Sequence, residues 1–210
     1  MGIVGHNYKF IGYDIGSPGR MSDAGIWNFS PLRAIFNPSE NQNPMNIPPP
    51  HVLISPHKVP DSRNRCIEYH LIADDGFGLT NRLMKPYSGN SLSVAEEVFN
   101  YRLSRARQVV EVAFGILVNR FRALLKRLYC STENARLIVE ACVLLHNYLI
   151  HHNPVSDHDA QIASDIWYQK LEKVKARNYA PPPESAIQMR DFLQEYFLSE
   201  YPIDSQWDNI

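Results

Sequence analysis

Cysteine is scarce in this chain: Cys66, Cys130 and Cys142 are the only three among 210 residues, odd in number, widely spaced and set among apolar neighbours. That argues against a disulfide framework or a cysteine zinc site, and buried, reduced thiols are expected. Long apolar runs are missing too. Nothing approaches the roughly 20 residues that span a bilayer, and the opening MGIVGHNYKFIGYD lacks the basic flank and apolar block of a secretory signal. His6 stands where an N-myristoylation motif needs Ser or Thr. The chain therefore reads as soluble and intracellular. It also contains no glycine-rich phosphate loop, paired-cysteine zinc pattern or serine elbow, so none of those chemistries is signalled.

Acid is nearly absent from one segment. Between Val98 and Thr132 seven bases (Arg102, Arg105, Arg107, Arg120, Arg122, Lys126 and Arg127) face Glu111 alone, whereas from Asn153 to the end ten acids face five bases. The formal net charge of -1 conceals this asymmetry and says little about partners. What the chain does have is 44% hydrophobic and 11% aromatic residues, enough for the core of one domain with extensions.

The stretch YKFIGYDIG is aromatic, β-branched and bounded by glycine, and predicts a strand. SPGRMSDAG follows as a loop and AGIWNFSPLRAIF as short helical turns. Seven prolines between Pro38 and Pro60 predict an extended loop. CIEYHLIADDGFGL predicts a buried strand ending at Asp74-Asp75-Gly76, and NRLMKPYSG a loop broken by Pro86 and Gly89. Ser91 or Ser93 caps a helix, or two in tandem, running as far as Leu128 because no proline intervenes. A further helix runs from a cap at Ser131 or Thr132 to Asn153-Pro154, and SDIWYQKLEKVKAR and SAIQMRDFLQEYFLSE predict peripheral helices.

On a helical wheel Phe99, Ala106, Val110, Ala113, Leu117, Leu124 and Leu128 share one arc, with Glu111 near its border. Spacing favours a surface glutamate paired with Arg107 at i, i+4; the rival reading aims a carboxylate from a core helix into a cleft. Asp74 ends a strand, where open α/β sheets place ligands, although Asp-Asp-Gly is also ordinary strand-to-turn chemistry. A nuclease using divalent metals needs carboxylates converging from a strand end and a helix, because hard cations prefer oxygen, and Asp74 with Glu111 would supply two. Arg102, Arg105 and Arg107 suit phosphate contacts or a solvated face equally. His146, in VLLHNYL, reads as a hydrogen-bonded core histidine rather than a metal ligand, and His151 and His152 are set aside with it.

Four blocks in order, YKFIGYDIGSPGRMSDAGIW, LIADDGFGLTNRLMKPYSG, FNYRLSRARQVVEVAFGILVNRFRALLKR and LIVEACVLLHNYL, with a closing MRDFLQEYFLSEYPIDSQW, resemble the Harbinger-type (PIF/Harbinger) transposase nuclease domain and its host-derived relatives. The resemblance implies an α/β, ribonuclease H-like fold with an Asp, Asp, Glu triad that binds divalent metal, Mg or Mn, and cleaves DNA. Asp74 matches the second Asp of that triad, Glu111 its Glu, and Asp23 a further family acid near the site, preceded by Ser22 where relatives often carry His. Gly5 stands where they commonly show Asp. The first Asp is expected on a strand upstream of Asn7, and Asp14 is a weak substitute for it.

The expected organisation is thus a DDE-type nuclease domain over 1–152 that lacks its first strand, interrupted by a Pro-rich loop over 38–62, and a C-terminal helical extension over 153–210. The expected function is that of a transposase-derived, metal-dependent endonuclease, catalytically impaired. Its alternatives are a non-catalytic remnant binding DNA or protein through the Arg102 to Arg127 face, or the product of a truncated gene. DNA and a DNA-binding partner protein are the expected partners, and the resemblance implies the nucleus.

Overall fold

The computed structural model describes residues 1–36, 70–89, 91–156, 160, 163 and 181–207. The chain forms two compact units, one of Met1–Trp27 with Gln108–Lys173 and one of Asn28–Arg107 with Val174–Ile210, so residues 153–210 contribute to both.

In the first unit, β1 (Gly2–Val4) and β2 (Phe10–Tyr13) pair antiparallel, with an irregularity between Ile3 and Val4. The turn between them closes through Gly5 N–H to Lys9 O and Tyr8 N–H to Gly5 O, with Tyr8 in the left-handed region at φ 62°. A non-glycine residue holds that conformation only where its surroundings fix it. The fixing contact is His146, whose Nε2 lies 2.9 Å from the Tyr8 carbonyl. One residue further, Asn147 accepts from Phe10 N–H and donates to Phe10 O, both at 2.8 Å. Both residues lie on α4 (Thr132–His152), which begins where the sequence predicted, with the Ser131 hydroxyl accepting from Asn134 N–H. The helix packs Cys142 and Val143 against Phe10, Ala113 and Leu117. Helix α1 (Asp23–Phe29) also begins in this unit, with Ser22 Oγ accepting from Gly25 N–H; α2 (Pro31–Phe36) follows in the second unit.

In the second unit β3 (Leu71–Ile72) pairs parallel with β4 (Leu83–Met84). The loop expected over NRLMKPYSG thus contains a strand. Leu83 and Met84 are both buried, and Met84 packs with α3 (Val94–Arg120) and α5 (Glu184–Glu195) in a core with Phe99, Leu103, Phe192, Leu193 and Tyr196. That burial outweighs the nearby turn residues. Ile72 is 38% exposed, so the strand is less buried than its apolar run suggested. Among the described residues β3 has one strand neighbour, which leaves part of that side chain open. Ser93 and Glu96 form a reciprocal cap at the start of α3, as their spacing predicts.

Helix α3 stops at Arg120, short of Leu128, and gives way to a 3-10 turn over Arg122–Leu125. No proline is involved. Phe121 and Leu124, at and after the break, pack against the Phe10 cluster. Beyond α5 the chain continues as a π-helical turn, Tyr196–Glu200. Cys142 is buried and free, but Cys130, free as well, is exposed in the connection before Ser131, against the expectation of buried thiols. Cys66, the 38–60 proline stretch and the segment SDIWYQKLEKVKAR lie outside the described residues. No described helix is long and apolar enough to cross a membrane.

Candidate functional site

Asp74 leaves β3 just after the pairing ends at Ala73 N–H to Met84 O, 2.9 Å. Its Oδ1 accepts from Gly76 N–H at 2.8 Å, and its carbonyl accepts from Phe77 N–H, so a half-buried carboxylate sits in a short side-chain-to-backbone turn. The next acid differs in kind. Asp75 is ion-paired with Lys85 Nζ at 2.7 Å and accepts from Ser88 Oγ at 2.7 Å. Partial burial opposes its charge, but Lys85 and Ser88 outweigh that and hold the carboxyl below the ordinary aspartate range. Among the described residues Asp74 has no ion pair. Of two adjacent acids, Asp75 is held by an ion pair and a hydroxyl, while Asp74 stands at the strand end in a backbone turn.

Glu111 is 5% exposed, so it is not the surface residue that spacing favoured. The wheel assumed one buried face, but around Glu111 α3 is covered on two. Ala113 and Leu117 face the Phe10 cluster, while Val112 and Ile116 pack with Ala163. Gly115 permits that second contact, since a Cβ there would overlap the Ala163 carbonyl. Ala106, by contrast, is exposed. Asp23 is exposed at the first turn of α1, and Ser22, the departure from the family's usual His, is its cap.

Asp23 and Glu111 belong to the first unit and Asp74 to the second. Among the described residues no three His, Cys, Asp or Glu side chains cluster in a way that could hold a metal ion. A cavity of about 230 Å³ in the first unit is lined mainly by apolar side chains, among them Phe10, Tyr13, Ile26, Phe114 and Val143, with Asp14 at its wall. Neither Glu111 nor Asp23 lines it. His146 is fully buried, as a core histidine should be, whereas His151 and His152 are exposed.

The arginines divide into two groups. Arg102 donates to Tyr201 O at 2.9 Å and Gln206 Oε1 at 3.3 Å and lies over the Phe197 ring at 4.7 Å. Burial, with Arg105 nearby, lowers its proton affinity below that of an ordinary arginine. Arg105 donates to Ser205 Oγ at 2.7 Å. Both tie the 201–206 segment to α3, and Arg107 is half-buried. Arg120, Arg122, Lys126 and Arg127 are all exposed, and none has an ion pair or hydrogen bond among the described residues. Tyr129 beside them is 91% exposed, with Arg127 5.7 Å from its ring centre. These four bases are the later part of the Arg102 to Arg127 face, and the run from Val112 to Thr132 holds no acid.

The family model for the DDE superfamily endonuclease matches residues 1–147, more than two thirds of the chain. The chain belongs to this family. Asp23, Asp74 and Glu111 all fall inside the matched part of this DDE superfamily member, and the closing block around Met189 to Trp207 falls outside it. The chain is also similar to Protein ALP1-like of Arabidopsis thaliana, 26% identical over 150 residues, which covers 70% of this chain. It spans about a third (34%) of that relative's length. No solved structure matches. The observed architecture is helix-rich with two small sheets, consistent with a DDE nuclease domain.

Proposed function

We propose that this chain is a transposase-derived, metal-dependent DNA endonuclease domain of ribonuclease H-like fold, acting in the nucleus, with Asp74 and Glu111 as its metal-holding carboxylates. The observation that carries this reading is membership of the DDE superfamily across the segment containing both acids. Two features of the residues support it: Asp74 stands at a strand end with no ion pair among the described residues while Asp75 is paired with Lys85, and Glu111 is a buried carboxylate.

The donor chemistry fits a hard divalent cation such as Mg or Mn, which binds through one or two carboxylates and completes its shell with water and substrate phosphate. When bound, such an ion supplies charge stabilisation at phosphoryl oxygens and acidifies its water. The chain's own contribution is to hold the two carboxylates and to bind the DNA backbone. Arg120, Arg122, Lys126 and Arg127, exposed and unopposed by acid, suit that second task, with Arg107 beside Glu111 in sequence. Asp23 stays with the site as a supporting acid.

A non-catalytic DNA-binding domain is the second reading, favoured by the same exposed bases. A plasmid-nicking assay with Mg²⁺ or Mn²⁺ separates them. Metal-dependent nicking lost in Asp74→Ala and Glu111→Gln supports the endonuclease. Salt-sensitive binding with no nicking supports the second reading, and no DNA binding at all sinks both.

A further inference from the structure

Helix α4 is apolar on both faces. Its inward side, Cys142, Val143, His146 and Ile150, is buried against the rest of its unit. Its opposite side carries Leu137 (49% exposed), Leu144 (54%), Leu145 (51%) and Tyr148 (60%), flanked by Ile138 and Leu149, with the small Ala141 in the middle. A helix on the surface of one domain needs only one apolar stripe, so the second has another cause. Six large side chains, each about half exposed, make a patch on the order of 500 Å², near the upper end of what soluble monomers display.

The order of residues within the stripe indicates what covers it. Asn134, Ile138, Ala141, Leu145, Tyr148 and His152 are spaced 4, 3, 4, 3 and 4 apart, the seam of a helix that packs lengthwise against another helix. We infer that this seam pairs with the same seam on a second copy of the chain, antiparallel about a two-fold axis close to Val143. In that register Ile138 faces Tyr148 of the second copy, and Ala141 faces its Leu145, each contact occurring twice. A bulky residue meets a small one across the axis, which is the complementarity a packed seam needs. Asn134 and His152 face each other at both ends and close the apolar stretch with polar groups.

Charge selects the same direction. Toward its start α4 carries Glu133, Arg136 and Glu140, one net negative charge, and Arg136 is already bonded to both acids. At its end are His151 and His152, with Lys9 Nζ 3.2 Å from His151 Nδ1. An antiparallel pair places the acidic start of one copy beside the basic end of the other and opposes the two helix dipoles. A parallel pair sets like against like. Doubling the patch buries on the order of 1,000 Å², the lower limit for a specific interface, so the dimer is a reversible one.

Sedimentation of the full chain across a hundredfold concentration range reads the proposal directly. A concentration-dependent shift from 24.1 kDa toward twice that mass is expected, and Leu145→Glu weakens it at least tenfold with unchanged circular dichroism. Cysteine cross-linking fixes the direction. With Cys66 and Cys130 replaced by Ser, Ile138→Cys and Tyr148→Cys yield a covalent dimer on oxidation only when the two proteins are mixed. A chain that stays monomeric throughout, a dimer indifferent to Leu145→Glu, or cross-links formed by either variant alone overturns the inference.

Discussion

Lowering the pH should loosen the first unit through His146. Its Nε2 is 2.9 Å from the Tyr8 carbonyl, and a carbonyl can only accept, so Nε2 carries the hydrogen. Nδ1 is then the bare nitrogen, buried and with no hydrogen-bond partner among the described residues. Protonation would place a new N–H there with nothing to receive it. Burial, with Arg120 nearby, accordingly depresses the histidine's pKa below its ordinary value, although the bond to Tyr8 works the other way. Above about pH 6.5 the imidazole is neutral in both folded and unfolded chains, and the group makes no pH-dependent contribution. Below that, the unfolded chain takes up a proton that the folded chain refuses, so stability falls as pH falls. The limit is about 1.4 kcal/mol per pH unit, or up to about 1.4 kcal/mol lost by pH 5.5 relative to pH 8. The assay is urea unfolding at half-unit steps from pH 5 to 8 for the wild type and for His146→Gln, whose amide N–H can replace Nε2–H but does not titrate. The slope, rather than the absolute stability, is the readout. Equal slopes for the two proteins between pH 5 and 6.5 would refute the reasoning.

Asn147→Ala removes both side-chain bonds to the Phe10 backbone in a buried part of β2, and at about 1–3 kcal/mol for each polar group left unsatisfied, a loss of about 2–6 kcal/mol is expected by denaturant titration at pH 7.5. Gly115→Ala tests the approach to Ala163: an unhindered helix site would gain up to about 1 kcal/mol, whereas overlap with the Ala163 carbonyl predicts a net loss and a lower melting temperature. Arg102→Ala removes the charge-assisted bonds to Tyr201 and Gln206, so about 2 kcal/mol and faster proteolysis near Tyr201 are expected. DNA affinity in that variant should change less than in Arg122→Ala, and the reverse ranking would return Arg102 to the DNA surface.

Local signals carried far where the physics is local. Ser93 and Ser131 were legible as caps because capping depends on side chains within one turn; β2 was legible from an aromatic, β-branched run bounded by glycine, and α4 from its cap and its Asn-Pro stop. The membership of Asp74 and Glu111 in one nuclease family was legible from ordered motifs, and the match over 1–147 stands behind it. Other features needed partners distant in sequence. Leu83 and Met84 became a strand because β3 pairs with them and α3 and α5 cover Met84, although turn residues flank them. Helix α3 ends at Arg120 with no proline to mark the stop.

Glu111 shows the difference most plainly. The sequence alone determined that a single carboxylate interrupts a basic, amphipathic run, within a segment that the DDE superfamily model matches. Only the tertiary structure decided that it is buried, since packing on two sides of α3, by the Phe10 cluster and by Ala163, cannot be read from a wheel that allows for one. The arginines divide for the same reason. Arg102 and Arg105 find hydrogen-bond partners about a hundred residues away, while Arg120, Arg122, Lys126 and Arg127 have no hydrogen bond or ion pair among the described residues.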